Sequence, residues 1–205
     1  MGGVNSAQVE ALRALLGPSG WLDRTRYFAR ALHGRARTPH GLLIVGTPSD
    51  EPWHMTAHLA DESRLAGVPG LAPTLVRWSP PRGAPVHLSI GIDRLERAGK
   101  ADTVLVVSSD TAPAALLERV AGARKSGTAI FALDRGDPDL DDLAHESLVV
   151  RPIVDPVSFD GAQHLVSVAV GEANRERLGP GPAGRPAVRT RLARLLDAVS
   201  GPRPE

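Results

Sequence analysis

LLIVGTPSDEPWHMTAHLADE, residues 42–62, is the stretch from which the fold is read. Leu42, Leu43, Ile44 and Val45 form an apolar run of strand length that ends at Gly46, so a buried strand leads into a polar loop and then into a helix. The loop between a strand and its following helix is where an open α/β sheet binds its ligand. Within the helix His54, His58 and Glu62 recur every four residues and therefore share one face, close enough to act together on a metal or a substrate. His54 alone reads more readily as a solvated surface residue, and His58 with Glu62 also reads as an ordinary i,i+4 hydrogen-bonded pair.

Working outward, strands are expected at 42–45, 74–78, 103–107, 128–133 and 147–150, with helical patterns near 51–66, 112–126 and 158–176. Strands alternating with helices imply parallel pairing, hence a three-layer α/β/α sandwich around a five-stranded, largely parallel sheet. An N-terminal helical pair precedes it. Asn5 caps the first helix, which carries Val9, Leu12, Leu15 and Leu16 and stops at Gly17-Pro18; the second carries Trp21, Leu22, Tyr27, Phe28, Ala31 and Leu32. Pro80-Pro81 and Gly83 break the pattern before a short helix at Asp93 to Ala98. Residues 1–176 read as one domain, and 177–205 as a Gly/Pro-rich linker, LGPGPAGRP, followed by a short helix carrying Leu192, Leu195, Leu196 and Val199.

Composition narrows the function. The 205 residues carry 24 basic and 23 acidic side chains spread along the chain, a net charge of +1, which gives no reason to expect nucleic acid or a membrane surface. With no cysteine, thiolate chemistry, disulfides and Cys-ligated metals are excluded. No apolar run exceeds strand length, so no signal peptide or membrane span is read and a cytoplasmic location is expected.

The strand 103–107 opens onto Ser108-Ser109-Asp110-Thr111, ahead of a helix starting near Ala112-Pro113. Three hydroxyls beside the free amides of a helix start suit a phosphate, and Pro113 suits a first helical turn. The same residues also serve as ordinary capping, and Asp110 opposes an anion. Asp134 sits where strand-end ligand contacts occur, although Asp134-Arg135-Gly136-Asp137 is also good turn chemistry. Trp53, Trp78 and His87 read as core or interface residues.

Taken together, the strand and polar loop before Ala57-His58-Leu59-Ala60-Asp61-Glu62, the hydroxyl-rich turn Ser108 to Thr111, the strand after ARKSGTAIFALD and Asp160-Gly161-Ala162-Gln163 on a late helix resemble the sugar isomerase (SIS) domain, most of all phosphoheptose isomerase. The resemblance covers roughly residues 20–176. It implies proton transfer between adjacent carbons of a sugar phosphate through an enediol, often beside a divalent metal such as zinc. Carried over by position, Glu62 is the catalytic base or a ligand, and His58, Glu62 and Gln163 hold the metal. Ser49, Ser108, Ser109, Thr111 and Asp160 bind substrate. Gly171 stands where the family places an acid histidine, and the first loop holds Pro48, Asp50, Glu51 and Pro52 where small residues leave room for phosphate. His164 and Glu172 are read as neighbours of the required position that point about 100° away on a helix.

The resemblance also implies a homodimer or homotetramer whose late helix contributes to the contact. Three functions follow as expectations: a sugar-phosphate-binding protein with weak or absent isomerase activity, a non-catalytic regulatory or assembly scaffold, and a metal-dependent enzyme of other chemistry that uses His54, His58 and Glu62.

Overall fold

The computed structural model describes residue 16 and residues 19–178. The expected first helix from Asn5, the linker and the C-terminal helix lie outside the described residues. Helices α1 (Trp21–Arg35), α2 (Trp53–Ala66), α3 (Ala114–Lys125), α4 (Pro138–Leu143) and α5 (Phe159–Leu178) surround strands β1 (Leu42–Val45), β2 (Pro73–Val76), β3 (Thr103–Val107), β4 (Ala129–Asp134) and β5 (Glu146–Val149). The five strands form one sheet in the order β2-β1-β3-β4-β5, and every pairing is parallel.

The strands lack polar alternation because both faces are covered, as a parallel sheet requires. Leu42 and Ile44 of β1, Leu105 and Val107 of β3 and Phe131 and Leu133 of β4 pack under Phe28, Leu32, Met55, Leu59, Val166 and Val170 from α1, α2 and α5. Leu43, Val45, Val104, Val106, Ile130 and Ala132 face the other way, against Leu95, Leu116, Val120 and Leu140. The result is the three-layer α/β/α sandwich. The direction of chain progression reverses between β1 and β3, so the crevice at their C-terminal ends is the topological switch point.

Two local expectations are corrected. The helix expected at 93–98 is a 3₁₀ segment, Ile92–Arg97. The turn after β4 starts the short helix α4, because Asp137 accepts hydrogen bonds from the amides of Asp139 and Leu140 and Pro138 fits the first turn.

Candidate functional site

The first loop is held down by its own acids. Glu51 accepts from Arg77 Nε at 2.9 Å, Trp53 Nε1 at 3.1 Å and the Trp78 amide at 3.3 Å. Trp78 Nε1 donates to the Gly46 carbonyl at 2.8 Å. A Cβ at residue 46 would lie 2.1 Å from the Asp50 carbonyl oxygen and 2.7 Å from Pro52, so only glycine lets the loop fold back this tightly over the end of β1. Trp53 and His87 are exposed, so neither is a core residue, whereas Trp78 is half-buried and packs against the core on one face of the sheet. Arg77 stacks on the Trp53 ring at 4.6 Å.

Across the switch point the second loop meets the first. Ser109 Oγ donates to Asp50 Oδ2 at 3.0 Å, Ser108 Oγ donates to the Asp110 carbonyl at 2.5 Å, and Ser49 Oγ lies 3.1 Å from Thr47 Oγ1. Ser49 and Thr111 are exposed. Pro113 is the extended residue just before helix α3, whose start has no side-chain cap. The hydroxyl-rich turn therefore leaves a helix start open, but places the Asp50 carboxylate against its central serine.

Asp134, at the end of β4, is turned into its own loop. Its Oδ1 accepts from the amides of Gly136 and Asp137, while Oδ2 is buried with no partner among the described residues. Burial is the main reason its carboxyl is held above the usual carboxylate range.

The chemistry-bearing cluster lies between α2 and α5. His54 and His58 are one turn apart on α2, and His164 meets them from the second turn of α5. His54 Nε2 is 2.8 Å from His164 Nε2 and 3.0 Å from His58 Nε2. The ring centroids are 4.3 to 4.6 Å apart, and the three donor nitrogens lie within 4.8 Å of one another. His54 is exposed, His58 half-buried and His164 buried. Burial, followed by the neighbouring His58 and His54, pushes His164 down to about 4. His58 is lowered by burial and then by His54, with Asp61 opposing. Both are neutral at neutral pH, with ring lone pairs available to a metal.

Among the described residues, histidines and carboxylates converge as a metal-competent group of three or more at this one place, and Glu62 is not in it. Glu62 is buried farther along α2, where it faces Gly171 of α5: a Cβ on residue 171 would lie 2.0 Å from Glu62 Oε2. Gln163 is buried and its amide nitrogen donates to Asp160 Oδ1 at 3.2 Å. The expected direction of His164 is corrected here. It precedes Gly171 by seven residues, nearly two helical turns, and so shares a face with it toward α2. That spacing was the available signal; the position of α5 relative to α2, across 110 residues of sequence, was not.

No protein-family model matches the chain, and no curated protein matches it. Among solved structures it is similar to the sugar isomerase domain of the RpiR transcription factor from Sphaerobacter thermophilus, at 17% identity and a TM-score of 0.50, covering 93% of this chain and 97% of that one. It is also similar to a protein from Salmonella typhimurium LT2 described as a "putative sugar binding protein", at 18% identity and a TM-score of 0.52, covering 95% of this chain and 54% of that one. At these identities the likeness is one of fold, and the fold is SIS-like.

Proposed function

We propose that the protein binds a phosphorylated sugar in the β1/β3 crevice and is a divergent, phosphoheptose isomerase-like protein with weak or absent aldose-ketose isomerase activity. The observation that carries this reading is the meeting of two hydroxyl-bearing loops at the switch point of an SIS-like sheet, beside the uncapped start of α3. Ser49, Ser108, Ser109 and Thr111 are the phosphate-side donors and Asp160 a hydroxyl-side acceptor. Glu62 is the residue that a remnant of catalysis would use as base. Weak turnover follows from Gly171, whose missing side chain leaves the space that the Glu62 carboxylate fills. Losing a general acid typically costs about 10²- to 10⁴-fold in rate.

Calorimetry with a panel of sugar phosphates tests binding. Ser109→Ala should cost about 1.5–3 kcal/mol, the value of a hydrogen bond to a charged group. Asp50→Asn should strengthen binding by about 1 kcal/mol, because it removes a like charge from the anion's place. Equal affinities in all three proteins would put the phosphate elsewhere. No binding by any panel member would favour the regulatory scaffold. Sedoheptulose 7-phosphate turnover by the wild type at rates ordinary for an isomerase would overturn the catalytic half of the reading.

This reading includes a homodimer or homotetramer. A shallow groove between α1 and α5, lined by Arg26, Arg30, Ala169, Glu172 and Ala173, lies on the late helix expected to contribute to the contact. Light scattering that shows a monomer at micromolar concentration would remove this part. None of the described helices is long and apolar enough to cross a membrane.

A further inference from the structure

Three imidazoles from two helices converge on a single point through the same ring atom, Nε2. Without an ion this arrangement is poorly satisfied. A neutral imidazole nitrogen carries either one N–H or one in-plane lone pair, so His54 Nε2 meets both neighbours only by sharing that single proton or lone pair between them. An ion at the centre takes one lone pair from each ring. Tetrahedral zinc with Zn–N bonds of about 2.0–2.1 Å sets neighbouring ligand nitrogens about 3.3 Å apart. The two separations from His54, 2.8 and 3.0 Å, are within a few tenths of an ångström of that spacing, and the third pair, His58 and His164, lies within 4.8 Å, a gap that rotation of the two rings can narrow.

We propose that the protein holds a divalent transition metal of the zinc class on His54, His58 and His164, a set that keeps His58 from the one the sequence resemblance implies but takes His54, about two turns nearer the start of α2, in place of Glu62 and His164 in place of its neighbour Gln163. Imidazole donors select the late first-row ions over magnesium or calcium. Three protein ligands, with the outermost histidine exposed, leave a fourth position for water or an added ligand, as in open zinc sites and unlike closed structural ones. Glu62 stays outside this group because the space at Gly171 accommodates its carboxylate at the other end of the helix pair. The proposal stands apart from the sugar-phosphate reading and survives its failure.

The test is titration of tag-free, chelator-treated full-length protein with Zn²⁺ by calorimetry and with Co²⁺ by visible absorption. One ion per chain is expected, with the intense cobalt bands of a four-coordinate site. Replacement of a residue that only supports a ligand costs about 10- to 100-fold in metal affinity. His54→Ala and His164→Ala should therefore each cost more than about 100-fold, whereas Glu62→Gln, Gln163→Ala and the control His87→Ala should change affinity no more than a few-fold. Because His54 is exposed, its variant keeps the test valid even if His164→Ala fails to fold, which far-UV circular dichroism reports. Absence of one-to-one binding by the wild type at tens of micromolar would overturn the proposal. So would retention of binding by a folded His54→Ala protein, or its loss in Gln163→Ala.

Discussion

The two ends of the contact between α2 and α5 differ in what they bring together. At the end nearer the helix starts, three imidazoles gather, with His54 Nε2 in contact with Nε2 of both His58 and His164. About two turns farther along, a glutamate faces a glycine, and the volume that a side chain at 171 would need is filled by the Glu62 carboxylate. The resemblance to phosphoheptose isomerase implies a metal on His58, Glu62 and Gln163 with an acid at position 171, whereas the metal-competent donors found here are His54, His58 and His164. The same helix pair thus presents donor side chains at successive turns, with the histidines gathered at one end and a glycine at position 171 at the other.

The largest expected effect tests the histidine end through pH. His164 is 5% exposed and titrates at about 4 in the folded protein, because burial and the two neighbouring rings oppose its charge. An unfolded histidine titrates near 6.5. The unfolded chain therefore takes up the proton first as pH falls. The stability associated with neutral His164 is fully present above about 6.5 and is lost progressively down to about 4. The loss is up to about 3 kcal/mol. Urea unfolding in chelator at pH 7.5 and pH 4.5 should show a steeper loss for the wild type than for His164→Asn. Parallel losses would mean that the cluster opens to water and that the comparison between the two ends fails.

The next effect tests the Glu62 end by a double-mutant cycle. Gly171→Ala adds a methyl group where the Glu62 carboxylate now lies, so the carboxylate must leave a buried position. Overpacking of this kind costs about 1–3 kcal/mol. Removal of a mid-helix glycine returns about 1 kcal/mol. The single variant should be neutral to destabilised by about 2 kcal/mol, whereas the same change in a Glu62→Ala background should stabilise by about 1 kcal/mol. The coupling between the two positions should then exceed about 1 kcal/mol. A coupling near zero would show that Glu62 moves aside freely, and a histidine placed at residue 171 would then be accommodated.

Much of the fold was legible because it rests on local signals. The apolar runs of β1, β3 and β4 and the glycine after β1 mark a covered parallel sheet, and the observed strands fall within two residues of the expected ones. Helix α4 escaped because Asp137 and Pro138 serve turn and helix start alike. At the site, His54 and His58 were legible as a helical face and His164 was not grouped with them. Periodicity reports which residues share a face of one helix but not which face of another helix lies opposite. The fate of the loop acids was hidden for the same reason: the partners of Glu51, Arg77 and Trp78, come from the segment just after the next strand. The acids of the first loop divide into Glu51, engaged in holding the loop, and Asp50, which faces Ser109.

The smallest effect sharpens the comparison at its midpoint, where Gln163 adjoins His164 in sequence but turns its amide to Asp160 on its own helix. If this hydrogen bond is the residue's main role, Gln163→Ala should cost about 0.5–1.5 kcal/mol of stability, the net value of one intramolecular hydrogen bond. Zinc should still stabilise the variant. An ion that binds only the folded chain adds RT ln(1 + [Zn]/Kd), about 2.7 kcal/mol at a free concentration one hundred times Kd. Thermal unfolding with and without Zn²⁺ should give wild type and Gln163→Ala the same increment and His164→Ala almost none. An increment lost in Gln163→Ala but kept in His164→Ala would return the metal to the Glu62 end, with α5 turned so that Gln163 and not His164 faces α2 in solution.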